Sequence, residues 1–582
     1  MTDFLQEAEV ADPRAVRRAT LIRLATGLVQ GLLLYALWRA DKFKVWPATQ
    51  RELYAAFLMI VLFVPFVGLA GISALRLRTL AVWKAVAALV AGGLGAYGVW
   101  SGDPAARGVN GLGPQTFLAI AALVFIGHHL VQPADMERRR IAAYPTYFDV
   151  TWKHGVQGAL SLGFTGAFWL LLFLAAALFK LIGVDAIETL IRREWFIFPA
   201  TAVMFAAAVQ LTDVRANLVR GVRTVALTLL AWLLPLMALI AAAFLLTLPF
   251  TGLEPLWKTR SATAILLVAD AFLILLTNAA YQDGTEKTAV VLKWAARLAG
   301  VLLVPITVLA AYGLSLRIGQ YGLSPDRIIA AACVLVAAGY AVGYAVAAVR
   351  PGGWMKALEP TNIAMAFVVI VVLLALFTPV ADPRRLSVND QVARLEKGRV
   401  KPEAFDFAFL LHDGGRFGKA ALQRLKASST PSVAERAKTA ERGEMPIPAR
   451  PPLTVGEVAW RIKVHPEGAS LPASFLAVRP APQYGDCLDG VADCDARLAD
   501  VTGDGVDEVL LSSGWQIDVY QVDPQGRWER IGAYQPACGG AGVRGALARG
   551  GASVEEPKMK DLHVDGGLYT FDHVDCPSES KP

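Results

Sequence analysis

Charge is scarce in this chain. Asp, Glu, Lys and Arg supply 18% of its 582 residues, while 55% are hydrophobic. Soluble domains typically carry about 25% charged and about 45–50% apolar residues, so the deficit argues against an ordinary soluble protein and for a membrane protein. Catalytic signatures are missing too. There is no phosphate loop, no G-x-S-x-G elbow and no H-E-x-x-H; no enzyme class is indicated, and the balance leans away from one. Cysteine is rare, with five in the chain and no C-x-x-C pair. The first 19 residues are polar and mixed in charge. The apolar run after them lacks a small-x-small cleavage site before Trp38-Arg39, which predicts a retained helix rather than a removed leader. The net charge of +7 resides largely in short loops between apolar runs. This is the usual result of membrane orientation and implies no nucleic-acid partner.

What is present in abundance is spans. A helix needs about 20 apolar residues to cross the hydrocarbon, and eleven stretches qualify: 20–38, 53–72, 80–100, 115–131, 157–181, 195–211, 224–248, 262–281, 295–314, 328–349 and 361–380. The third is rich in Ala and Gly and the sixth is short. Segment 185–194 reads as a short interfacial helix. The basic residues favour a cytoplasmic N-terminal segment (1–19), with runs such as Arg138-Arg139-Arg140 inside; the first outer loop, with Arg39, Lys42, Lys44 and Arg51, goes against the bias. An odd number of spans then places the tail after residue 380 outside. The expected fold class is an all-α polytopic membrane bundle over 20–380, in contact with the lipid bilayer, followed by an extramembrane tail with a small β-rich domain.

The cysteines test that side independently. Cys333 lies within the tenth span. The other four, Cys487, Cys494, Cys538 and Cys576, all lie in the tail. An even set in one soluble segment suggests two disulfides and an oxidising compartment. Three pairings are open; Cys487–Cys494 with Cys538–Cys576 is favoured because its first bridge closes a short loop. Zinc is the competing reading, disfavoured by the absence of C-x-x-C.

The tail reads in three parts. Residues 381–426 form a juxtamembrane helical segment, with Ser387 as a helix N-cap and Gly398 as its end. Residues 427–453, rich in Pro, Ser and charge, form a linker. From 454 to 582 the period shortens: EVAWRIKV, SFLAVRP, DEVLLSSG, QIDVYQVD, RWERIGAYQ and GLYTFDHV read as strands, with turns at DPQGR and VDGG. Within this part, LADVTGDGVDEVLL places oxygens at Asp500, Thr502 and Asp504, a turn glycine at Gly505, the backbone carbonyl of Val506, and Glu508. Alternating oxygens suit a hard cation such as calcium. Leu511 stands at the twelfth position, where an EF-hand has Glu. The bare alternative is an Asp/Gly turn between strands. The stretch resembles the calcium loop of FG-GAP and VCBS-type propeller repeats, from which Thr502 and Glu508 depart; a single copy does not make a propeller.

Inside the membrane, Asp270 in ATAILLVADAFLILLTN is the clearest ionisable residue at mid-span, with a proton or cation relay as its functional reading and a buried packing pair as the alternative. His128 and His129 end the fourth span; adjacent histidines point to different sides of a helix and make a poor metal pair. Pro235 and Pro305 are expected to kink their spans. Ser324 opens the tenth span as an N-cap before Pro325.

YFDVTWKHGVQ (147–157), RIGQYGLSPDRI (317–328) and DPRRLSVNDQVARLEKG after the last span resemble the bacterial multi-pass membrane family known as domain of unknown function 4153, over roughly residues 20–425. The resemblance implies a bacterial inner-membrane protein and assigns neither activity nor site residues. The expected function is a membrane bundle anchoring a periplasmic binding or scaffold domain, stabilised by calcium, for an envelope protein or ligand. The alternatives are a transporter using Asp270 and, more weakly, an enzyme acting on lipid-linked substrates through 147–157 and 317–328.

Overall fold

The computed structural model describes residues 13–104, 112–254, 256, 261–284, 288–442, 459, 462–466, 468–476, 494–512, 516–523, 525–534, 562–564 and 567–569. Eleven described helices are long and apolar enough to cross a membrane. They are α1 (Pro13–Lys42), α2 (Arg51–Gly71), α3 (Leu77–Ser101), α4 (Pro114–Glu137), α5 (Tyr144–Leu181), α7 (Glu194–Val214), α8 (Ala216–Thr251), α9 (Ala262–Tyr281), α10 (Val290–Tyr321), α11 (Pro325–Val349) and α12 (Leu358–Leu376). Each coincides with one of the eleven expected spans. Between α5 and α7 stands α6 (Ala186–Ile191), the short helix expected there. Large apolar side chains such as Leu170, Leu246 and Phe250 point outward, as they must where hydrocarbon and not water surrounds the helix. The chain is a multi-pass membrane protein.

The Ala/Gly-rich α3 is a span because its small residues face a neighbour. A methyl group on Gly95 would come 2.9 Å from the Ala55 carbonyl oxygen of α2, so glycine there sets how closely the two helices approach. The principal core lies among α8–α11, where Leu227, Leu234, Leu273, Leu303 and Ile306 are buried. Pro235 and Pro305 sit inside α8 and α10. Cys333 faces outward from α11 and is the free thiol among the described residues.

After the spans come α13 (Pro383–Glu396), α14 (Phe407–His412), α15 (Gly415–Lys426) and α16 (Pro431–Glu441). Two expectations change here. The N-cap of α13 is Asp382, whose carboxylate accepts from the Arg384 and Arg385 N–H groups at 2.8 and 3.2 Å. Ser387 lies inside the helix and donates to the Leu323 carbonyl at 3.0 Å. The helix begins five residues early because Pro383 suits its first turn. Part of the expected linker is α16: Pro431 opens it, and Val433, Ala437 and Ala440 bury one stripe. Residues 443–453 lie outside the described residues.

The chain divides into two compact units, one of residues up to 402 with 407–444, the other of 403–406 with 445–582. In the second, five strands form one sheet in sequence order: β1 (Ile462–His465), β2 (Cys494–Ala499), β3 (Glu508–Ser512), β4 (Ile517–Val522) and β5 (Trp528–Tyr534). β1 pairs β2 in parallel; the other pairs are antiparallel. A separate hairpin joins β6 (Leu562–Val564) and β7 (Gly567–Tyr569). The central β3 is buried along its length, with Val509 and Leu511 against Phe475 and Tyr520 and with Leu510 against Val519. The described part of SFLAVRP is not a strand but a helical turn, α17 (Ala473–Leu476), in which Phe475 enters the core. The DPQGR turn closes on Asp523, which accepts from the Gln525 and Arg527 N–H groups; these bonds hold its carboxyl below the usual aspartate range.

Candidate functional site

The acidic loop is wired to its own backbone. Asp500 accepts from the Gly503 and Gly505 N–H groups at 2.6 and 2.9 Å, and Asp504 accepts from Val506 N–H at 2.9 Å. Glu508 opens β3 fully buried and accepts from the N–H groups of Val501 and Thr502 at 2.8 and 3.2 Å and from the Thr502 hydroxyl at 3.0 Å. Glu508 thus acts as a lock for the preceding turn. Val506 is exposed. Among the described residues no three His, Cys, Asp or Glu side chains are grouped so as to hold a metal ion. Cys494 is buried at the start of β2; Cys487, Cys538 and Cys576 lie outside the described residues.

Asp270 is 1% exposed in α9. Thr307 of α10 donates to its Oδ2 at 2.7 Å, and its Oδ1 is buried without a partner. Among the described residues it has none of the basic partners that structural ion pairs use. Toward the end of the same helix lies a closed ring of amides and phenols. Tyr144 and Asn362 donate to Asn278 Oδ1 at 3.3 and 2.6 Å, Asn278 donates to Tyr344 at 2.7 Å, and Tyr344 donates to Asn362 at 2.8 Å. Four helices, α5, α9, α11 and α12, meet in it. One turn further, Tyr281 donates to Glu359 at 2.8 Å, and Lys356 bonds the same carboxylate oxygen at 2.7 Å.

The same end of the bundle holds a second buried network. Arg23 of α1, 2% exposed, donates to the Leu69 carbonyl (3.1 Å), Gln210 (2.5 Å), Ser73 (3.0 Å) and Asp213 (2.8 Å). Asp213 also accepts from Lys153 at 2.9 Å. Close to Lys153 in sequence, His154 joins the pair expected to stand apart. His129 Nδ1 donates to the Phe125 carbonyl at 2.7 Å, which leaves Nε2 to accept from His154 Nδ1 at 3.0 Å. His128 Nδ1 accepts from Trp83 at 3.3 Å, so its proton sits on the buried, unpartnered Nε2. A nitrogen bearing a proton is no metal ligand, and the cluster is not a metal centre as it stands.

At the opposite end, the two stretches 317–327 and 382–394 come together. Leu323 N–H donates to Asp390 at 2.7 Å. Gln391 donates to the carbonyls of Tyr321 and Leu323, and Arg394 to that of Gln320. Ser324 caps α11 as expected, accepting from Arg327 N–H. Beside this joint a cleft of about 480 Å³ is lined by Tyr97, Ser101, Gln115, Asp326, Asp382 and Arg384 among others. Tyr97 donates to Asp382 at 2.7 Å. The stretch 147–157 does not take part. It belongs to the end where α10 starts, and about 25 residues of α10, roughly 37 Å at 1.5 Å per residue, separate that end from Arg317. The two stretches thus cannot line one catalytic site.

Sequence reasoning overlooked Arg23, His154 and the Tyr144–Asn278–Tyr344–Asn362 ring. The signal was present in a weak form, as polar residues in otherwise apolar spans, but their partners lie on helices distant in sequence.

A family model described as Domain of unknown function (DUF4153) matches residues 53–434. No curated protein and no solved structure matches the chain.

Proposed function

From the premise that the chain belongs to the DUF4153 family, we propose that it is a bacterial inner-membrane protein whose bundle, with a cytoplasmic N-terminus, anchors a periplasmic binding or scaffold domain. The observation that carries this reading is the tail. After eleven candidate spans among the described residues, an odd number, the chain builds a second compact unit around its own sheet. Odd spans put the two termini on opposite sides, and the basic loops favour the N-terminus inside. The disulfide proposal draws support from Cys494, which is buried at the start of β2. Binding draws support from the edge strand β5, where Ile531 and Tyr534 are exposed. Calcium at Asp500, Thr502, Asp504, Val506 and Glu508 remains part of the proposal. Each carboxylate oxygen has a second lone pair beyond the N–H it accepts, and exposed Asp504 has room to turn toward an ion beside half-buried Asp500.

The test uses the full chain in cells. A membrane-impermeant maleimide is applied from the periplasmic side with and without reductant. Labelling of the tail only after reduction, and only from outside, is expected. Labelling from the cytoplasmic side alone would overturn the topology. Calcium is tested by the tail's unfolding midpoint with calcium and with chelator, since a ligand of the folded state raises it.

A second reading is favoured by one observation. The oxygen of Asp270 left without a partner at mid-span supports a transport role, because ionisable groups inside spans are costly and tend to be functional. On this reading the bundle moves a substrate coupled to Asp270.

A further inference from the structure

Polar groups are stacked down one face of α9. Asp270 is followed two turns later by Thr277, then by Asn278 and Tyr281. Asp270 Oδ1 and Thr277 Oγ1 are both buried and both without a partner. Seven residues separate them, about 10 Å along the axis. Beyond Thr277 lie the Asn278–Tyr344–Asn362–Tyr144 ring and then Tyr281 with Glu359. Lys356, bonded to Glu359, is largely exposed. Polar atoms thus run from solvent at the Glu359 end to Thr277, about 10 Å short of Asp270 at mid-span. Toward the other end, α9 offers Ala262 to Ala269 with one threonine and no other polar side chain.

We propose that Asp270 is a proton-binding site loaded from the Glu359 end, with the Thr277 hydroxyl as the step between the ring and the carboxylate. This inference rests on the transport reading and names its ion. A proton fits the site where a metal cation does not. Among the described residues only Thr307 joins Asp270 in a hydrogen bond, whereas hard cations want about six oxygens. In the transfer, water bound between the two unpartnered atoms spans the gap: Thr277 gives its hydroxyl proton to that water and takes one from the ring side, while the water gives one to the Asp270 carboxylate. One proton moves and only O–H bonds change. The helices packed along α9 are α8, α10 and α11, and α5 and α12 meet it at the ring through Tyr144 and Asn362. On α8 the charge nearest mid-span is Arg223. On α10, Arg297 and Arg317 each stand ten residues from Thr307, about 15 Å along the axis. On α11 the groups are Asp326 and Arg327 near its start, the Cys333 thiol, and the phenols of Tyr340 and Tyr344. None of these is hydrogen-bonded to Asp270.

The experiment is infrared spectroscopy of the full chain in lipid nanodiscs, following protonated-carboxyl absorption across pH and its shift with time after transfer to deuterated water. The expected result is a band lost in Asp270→Asn, whose deuteration slows about tenfold or more in Thr277→Val and recovers in Thr277→Ser. Tyr344→Phe, which opens the ring without touching α9, should slow it as well. If Asp270→Asn leaves every carboxyl band in place, Asp270 is not a proton site and the transport reading falls with the inference. If the band belongs to Asp270 but deuteration is equally fast in Thr277→Val and Tyr344→Phe, the reading stands and the route is wrong.

Discussion

Gly322→Ala should undo the joint between the loop before α11 and the helix after the last span. Gly322 has φ 75° and ψ −170°, a region open in practice to glycine alone, and forcing another residue into it costs about 1–3 kcal/mol. An added methyl group would also stand 2.6 Å from Asp390 Oδ2 and 2.8 Å from both Gln391 Nε2 and Arg394 Cδ. Asp390 would have to withdraw from Leu323 N–H, to which it is bonded at 2.7 Å. A hydrogen bond to a charged group is worth about 1.5–3 kcal/mol. The two effects sum to about 4 kcal/mol of local stability, roughly a thousandfold rise in local opening at 1.4 kcal/mol per decade. Hydrogen exchange by mass spectrometry on segments 317–327 and 383–396 reads that directly. Gly319 supplies the control. It is helical, exposed, and has nothing within 4 Å of an added methyl group; alanine there should stabilise the helix by about 0.5–1 kcal/mol. Equal exchange in the two variants would refute the account of how this joint is held.

Glu508→Ala leaves two N–H groups and a hydroxyl without their buried acceptor, and the tail unit should lose about 2–4 kcal/mol, seen as a lower unfolding midpoint; a change within experimental error would show that the lock is dispensable. Asp213→Leu removes the counter-charge of buried Arg23, and breaking a buried pair costs about 3–5 kcal/mol; loss of folded protein in detergent, relieved by adding Arg23→Met, is the expected pattern. Hydrogen bonding from Lys426 holds the Glu441 carboxyl below the usual glutamate range. A depressed value adds stability that is present above the ordinary glutamate range and fades as pH falls through the folded value; exchange protection in α16 should fall with acid in that window, and Glu441→Gln should flatten the dependence.

The bundle was legible because a membrane span writes itself locally. Twenty apolar residues suffice, and both the Ala/Gly-rich α3 and the short α7 obeyed that rule. The Ser324 cap and the helices after residue 381 were equally local signals. Errors arose where two signals competed. Ser387 looked like a cap because Ser before an acidic helix usually is one, yet Asp382-Pro383 begins the helix earlier. SFLAVRP alternates like a strand, but Phe475 buries as well from one helical turn. β2 was missed because CDARLA carries charge at Asp495 and Arg497, and its burial depends on the partner strands β1 and β3. Asp270 stood out in the sequence, but Thr307, 37 residues away, did not.

Arg23 carries a consequence for how this protein is made. Its guanidinium is satisfied in the finished molecule by Gln210 and Asp213, 187 and 190 residues later in the chain. At synthesis rates of about 5–20 residues per second, that interval lasts roughly 10–40 seconds. During it the first helix must enter the bilayer with a cation whose counter-charge has not yet been translated. The first span is therefore inserted before it is finished, its arginine held at the water boundary until α7 arrives. Assembly of this membrane domain has a built-in order, in which the seventh helix closes what the first one opened.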